Sequence, residues 1–281
     1  MTLAASVDIS VYPRSVVNAG TICVRLHADR DEPKIDRLYV AFEGHRYPVY
    51  RNPYQKGRNF YALIPLSYYA TPKRSRLVVV RIVRGTKHYH AYSIRIKAGR
   101  YRSEKLHVAP SRARISPENR RRIAREQREA MCIYRTETPQ LFPDTPLRYP
   151  LQSKITSAFG TRRLFNGILK SYHSGTDFRA AAGTPIRAVG AGRVVLAKRR
   201  FFAGNSVILD HGEGLYTGYY HLSRFAVSVG DFVEAGDLLG YAGATGRVTG
   251  PHLHFSARVH GVQVDPLQFL QRFNLLFKDN K

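Results

Sequence analysis

Thr184-Pro-Ile-Arg-Ala-Val-Gly-Ala-Gly-Arg-Val-Val-Leu196 sets the texture of the second half of this 281-residue chain, with short apolar runs cut by glycine and no helical repeat. Branched residues suit a pleated sheet, and glycines between them mark turns. The stretch therefore reads as a β-hairpin. Downstream, Asn205-Ser-Val-Ile-Leu-Asp210 reads as a further strand, and Val227 to Gly240 as two short arms around turns. Gly243, Gly246 and Gly250 lead into Pro251-His-Leu-His-Phe255. Nothing between Leu151 and Val264 reads as a long helix, so residues 151–281 are expected to form a compact antiparallel β domain.

Upstream, residues 1–110 read as a second all-β unit. Val7, Ile9 and Val11 alternate, as do Ile22, Val24 and Leu26, then Leu38, Val40 and Phe42. Phe60–Leu66, Arg76–Val83 and Lys87–Ile96 follow, with turn signals between them. Short alternating strands at this spacing predict a small antiparallel sandwich. Residues 111–150 are expected to connect the two. Ser116 suits an N-cap and Pro117 the first helical position, so a helix is predicted over Glu118–Tyr134. Ile123, Ala124, Gln127, Ala130 and Met131 lie along one side. Arg120, Arg121, Arg122, Arg125 and Arg128 make the rest basic, and the leading expectation is a solvated linker helix. Four prolines between Thr136 and Pro150 predict an extended connection.

Lys and Arg number 45 against 20 Asp and Glu, a net charge of +25. Such a field attracts polyanions, whether nucleic acid, lipid headgroups or acidic envelope polymers, without bearing on the fold. No zinc finger, RNP-type aromatic motif or helix-turn-helix pattern supports specific nucleic-acid binding. No run approaches the roughly 20 apolar residues of a membrane helix. Cys23 and Cys132 read as separate free thiols. Met1–Ser10 lacks the basic and apolar regions of an export signal.

The chemistry concentrates between His173 and His254. His173 and Asp177 flank a glycine-containing turn that can bring both to one ion. On a strand, side chains two apart share a face, so His252 and His254 would project together. The same alternation puts Tyr219 on the face of His221. Catalytic zinc takes three nitrogen or oxygen ligands and leaves a fourth position to water. Two histidines and an aspartate meet that need, and two histidines remain for protons. Spacing alone does not say which member of His252-Leu-His254 would hold the metal. His88-Tyr-His90 is a similar pair without a carboxylate motif and reads as packing or surface. His211, in Asp210-His-Gly, reads as a turn residue.

Taken together, the blocks resemble the zinc metallopeptidases of the M23 family, the lysostaphin-type peptidoglycan endopeptidases. The resemblance runs from about Ile155 to Leu267. It rests on Ser157-Ala-Phe-Gly-Thr-Arg162, His173-Ser-Gly-Thr-Asp-Phe178, Gly204-Asn-Ser-Val-Ile-Leu-Asp-His-Gly212, Tyr219-Tyr-His-Leu-Ser223 and Thr245-Gly-Arg-Val-Thr-Gly-Pro-His-Leu-His-Phe255. It implies zinc held by His173, Asp177 and His254, and proton transfer by His221 and His252. It implies amide hydrolysis in peptidoglycan cross-links, of the D-alanyl–diaminopimelate type, in the periplasm or outside the cell after removal of an export signal. Anionic wall or envelope polymers are expected to meet the basic surface.

Three other classes compete. A regulator of this fold would lack metal ligands, and here all are present. A biotinyl or lipoyl carrier matches the glycine-rich hairpins but needs a lysine at a hairpin tip, and none occurs between Arg199 and Phe277. A mononuclear iron oxygenase also uses two histidines and a carboxylate. It spaces the first pair HxD or HxE, and would leave His221 and His252 idle.

Overall fold

The computed structural model describes residues 7–106, 115–165 and 168–278. They form a mostly β protein in two compact units, Met1–Gly99 with Gln271–Lys281, and Arg100–Leu270.

In the first unit, strands Val7–Tyr12, Thr21–Ala28, Arg58–Pro65 and Tyr50–Arg51 lie side by side in one sheet. A second sheet runs Ser15–Val17, Thr86–Lys97, Lys73–Val83, Ile35–Phe42 and His45–Pro48. Alternate residues of both enter one core: Val11, Ile22, Val24 and Leu26 from the first, and Val40, Phe42, Leu77, Val79, Ile94 and Ile96 from the second. Two sheets closed on a shared apolar layer make the sandwich expected from the alternation. The long hairpin of Lys73–Val83 and Thr86–Lys97 turns at Arg84-Gly85, both with positive φ (49° and 78°), as a tight two-residue turn demands.

The second unit is built on a larger sheet in the order Ile155–Ser157, Thr176–Arg179, His252–Val259, Leu215–Phe225, Gly204–Asp210, Gly192–Arg200, Phe232–Val233. The stretch Thr184–Leu196 is not a hairpin. Pro185–Arg187 pairs with Leu238–Ala242, whereas Gly192–Arg200 pairs with Gly204–Asp210 and Phe232–Val233. The supposed turn between them is buried, with Val189 fully enclosed. Its backbone is committed elsewhere: Val189 N–H donates to the Tyr219 hydroxyl at 3.0 Å and Ala188 N–H to the Asp237 carbonyl at 2.9 Å. The glycines serve close approach, since a Cβ at Gly190 would lie 2.3 Å from Leu147 Cδ2.

The helix spans Pro117–Arg135, and the Ser116 hydroxyl accepts from Asn119 N–H at 3.2 Å. It is not a solvated linker. Glu126, Ala130 and Tyr134, four residues apart, form its buried stripe. Ala130 and Tyr134 pack on Leu196, Ile208 and Tyr216 of the sheet. Ala124 and Gln127, expected on the inner side, are exposed. The apolar pattern misses this face because one of its members is a carboxylate. Glu126 is buried with its charge satisfied, accepting from Phe201 N–H and from Arg122 Nε, both at 2.8 Å. The proline-rich connection has no regular secondary structure but is pinned to the same unit, with Phe142 N–H donating to the His211 carbonyl and Arg148 N–H to that of Val189. Among the described residues no helix is long and apolar enough to cross a membrane.

Candidate metal centre

Three neighbouring strands build the site. In the antiparallel register Asp177 sits opposite His254, and on the other side His254 sits opposite Tyr220. His173 precedes the first of these strands and is fastened by backbone bonds with the 157–162 block. Its N–H donates to the Thr161 carbonyl, and its own carbonyl accepts from Gly160 N–H, both at 2.8 Å. Gly175 is required at the crossing: a Cβ there would lie 2.4 Å from the Phe255 carbonyl oxygen and 2.6 Å from His254 Nε2.

Three donor atoms converge. His173 Nε2 lies 3.0 Å from Asp177 Oδ1 and 2.9 Å from His254 Nδ1, and the last two are 2.8 Å apart. Among the described residues these three form the group able to hold a metal ion. The His173 Nδ1–H donates to the Ala158 carbonyl at 3.0 Å, which turns the lone pair of a neutral ring at Nε2 inward. Two nitrogen lone pairs and an anionic oxygen facing one point repel each other, and a divalent cation resolves that repulsion. The set fits Zn2+, whose catalytic sites take imidazole and carboxylate ligands and leave one position open.

The electrostatics agree. Burial alone would raise the Asp177 carboxyl, but the adjoining His173 and His254 imidazoles outweigh it and hold the group far below the usual carboxylate range. Burial lowers the His254 pKa, which keeps the ring neutral and able to ligate.

His221 and His252 stand beside the triad. Their rings are 4.9 Å apart, and His252 Nε2 is 3.8 Å from Asp177 Oδ1. His221 donates from Nδ1 to the Thr245 carbonyl, and His252 from Nδ1 to that of Gly250, each at 2.9 Å. With Nδ1 so engaged, a lone pair in either ring would lie at Nε2. Burial brings the His221 pKa down to about 4, so the ring is uncharged at neutral pH.

Tyr219 does not share the His221 face. Asn205 pairs with Leu222 and Val207 with Tyr219, so two residues, Tyr220 and His221, oppose the single Ser206 in a β-bulge. His221 takes φ 63°, a left-handed conformation costly for a residue with a Cβ, stabilised by its N–H bond to the Ala203 carbonyl at 3.0 Å. The bulge breaks the alternation. Tyr219 turns inward against Phe255, and Tyr220 packs its ring 5.4 Å from that of His254.

His211 and His90 do not join this group. His211 is buried, bonded through Nδ1 to the Ala191 carbonyl and through Nε2 to the Thr217 hydroxyl, both at 2.7 Å. His90 meets Arg81 in the first unit.

A β sheet presenting two histidines and an aspartate to one point, with two further imidazoles alongside, defines a metallopeptidase-type centre. The profile of peptidase family M23 matches residues 171–266. A crystal structure from Pseudomonas aeruginosa assigned to peptidase M23 is 32% identical, with a TM-score of 0.67, and covers 92% of this chain and 96% of that one. The chain belongs to peptidase family M23. Peptidoglycan DD-endopeptidase ShyA of Vibrio cholerae is 43% identical over 125 residues, 43% of this chain and 29% of that protein. DD-carboxypeptidase/endopeptidase Mpg of Neisseria meningitidis is 41% identical over 124 residues, 43% of this chain and 27% of that protein. The match thus spans less than a third of either curated relative.

Proposed function

We propose that this protein is a zinc-dependent endopeptidase that hydrolyses peptide cross-links of peptidoglycan, of the D-alanyl–diaminopimelate type, in the periplasm or outside the cell. The observation that carries the reading is the convergence of His173, Asp177 and His254 with His221 and His252 at their side. The named endopeptidase relatives support the substrate class. Residues 151–281 form the peptidase domain in this reading, residues 1–110 an accessory β domain, and residues 111–150 the helix and connection. The basic surface draws the enzyme toward anionic wall or envelope polymers.

His173, Asp177 and His254 would hold the ion. When bound, zinc acidifies a water ligand and polarises a carbonyl. The chain's own residues do the rest. His221, neutral and fixed by Thr245, offers Nε2 as a proton acceptor. His252, fixed by Gly250, is the second proton carrier, serving the developing oxyanion or the leaving amine. Asp177, kept ionised, anchors His173 and His254 and adds the negative charge that a dication needs.

The test is digestion of purified peptidoglycan with mass-spectrometric identification of the fragments, alongside zinc analysis. The wild type should release cross-link products with zinc bound. Release of glycan fragments, or an intact substrate with zinc-loaded protein, would contradict the reading. A catalytically inactive regulator of other hydrolases would bind no zinc.

A further inference from the structure

We propose that the helix Pro117–Arg135, outside the 171–266 segment that matches the family, is a positioning element of the metal site, with Tyr134 setting the His254 ring and Glu126 setting the backbone of His221. The inference rests on the site reading above.

The first arm passes through two tyrosines. The Tyr134 and Tyr220 hydroxyls are hydrogen-bonded at 3.2 Å, and the Tyr220 hydroxyl also meets Ser256 Oγ at 3.1 Å. The Tyr220 ring lies directly over Gly218, where a Cβ would come within 2.1 Å of the phenol oxygen. It stands 5.4 Å from the His254 ring, whose Nε2 side closes on Gly175. His254 is thus confined between a glycine and a tyrosine that the helix holds in place. Tyr134 is itself clamped, edge-on to Tyr216 at 5.5 Å and beneath the Arg258 guanidinium at 4.6 Å.

The second arm passes through a turn. Glu126 accepts from Phe201 N–H at 2.8 Å, and Arg200 donates to the Glu126 carbonyl at 3.1 Å. Two residues beyond Phe201, the Ala203 carbonyl receives the His221 N–H at 3.0 Å. The intervening Phe202 carbonyl receives Arg247 N–H at 3.0 Å, in the loop whose Thr245 carbonyl orients the His221 ring. A left-handed residue persists only where its surroundings over-determine it, and this turn supplies part of that constraint. A buried carboxylate on an otherwise apolar helix face is thereby explained.

The two arms predict separable defects. Zinc affinity is measured by competition with a chromogenic chelator, using zinc alone, and turnover on peptidoglycan. Tyr134→Phe keeps the ring but loses the hydroxyl, and should weaken zinc affinity about 2- to 10-fold, the range of one neutral hydrogen bond. Its turnover should recover at saturating zinc. Glu126→Ala should keep zinc affinity and lower kcat about 2- to 10-fold with KM unchanged, with faster amide exchange at Phe201 and His221. Glu129→Ala, on the same helix but paired at the surface with Lys198, should change neither. Wild-type zinc affinity in Tyr134→Phe together with wild-type kcat in Glu126→Ala would overturn the inference. So would equal losses in all three variants that follow only their melting temperatures. Zinc-loaded wild type that failed on peptidoglycan would instead remove the substrate reading, and the zinc arm would still decide the role of Tyr134.

Discussion

His88-Tyr-His90 and His252-Leu-His254 are the same motif on the same kind of element, each within a long antiparallel strand. Their cross-strand neighbours differ. Arg81 pairs in register with His88 and hydrogen-bonds His90 Nε2 at 3.3 Å, and it is itself paired with Glu32. Asp177 pairs with His254 and touches both His173 and His254. A guanidinium facing the first pair repels a cation, and burial together with that charge keeps His90 below the usual histidine pKa. A carboxylate facing the second pair attracts one. A histidine in such a pair joins a candidate metal site through the residues that neighbouring segments bring to it, Asp177 and His173 for His254, not through the spacing of the pair.

The largest effect is expected at His173→Ala, which removes one of the three converging atoms. Zinc content should fall from about one ion per chain to background, with hydrolysis lost. His88→Ala and His90→Ala should leave zinc content unchanged. Next comes His221→Ala, which should keep zinc and lower turnover by about 10²- to 10⁴-fold, the range of a general acid–base group. Loss of zinc in that variant would make His221 a ligand.

The third effect is on stability against pH in chelator-treated protein. The folded pKa of His221, about 4, lies below its ordinary value of 6.5. The unfolded chain therefore takes up this proton first as pH falls. Stability contributed by the neutral ring is full above 6.5 and is lost down to about 4, by about 3 kcal/mol. Urea titrations of the wild type and His221→Asn between these limits should diverge with that sign. The smallest effect concerns the thiols. Exposed Cys132 should alkylate in the native protein, whereas buried Cys23, its thiol pushed up to about 12 by burial, should react only on unfolding.

Much of this molecule is legible in the sequence where a simple period governs. Val7, Ile9 and Val11 or Ile22, Val24 and Leu26 alternate because one face of each strand meets one core. The pairing of His252 and His254 on one face follows from the same rule. The rule fails where the chain departs from it. At His221 a bulge and a positive φ turn Tyr219 away and bring Tyr220 to the site, and no local residue preference announces either. In the helix, the inner stripe includes Glu126, so an apolar count selects the neighbouring side. Between Thr184 and Leu196 the glycines make room for Leu147 and Asp210 rather than turns, a fact decided by distant segments.

Asp177, opposite His254, is the residue expected to make that histidine a zinc ligand together with His173. Asp177→Asn keeps the shape and removes the charge, so zinc stoichiometry of the purified variant beside the wild type tests it most directly. The account predicts about one zinc ion in the wild type and loss of bound zinc in the variant, with hydrolysis falling alongside. A variant that retained full zinc and full hydrolysis would contradict it.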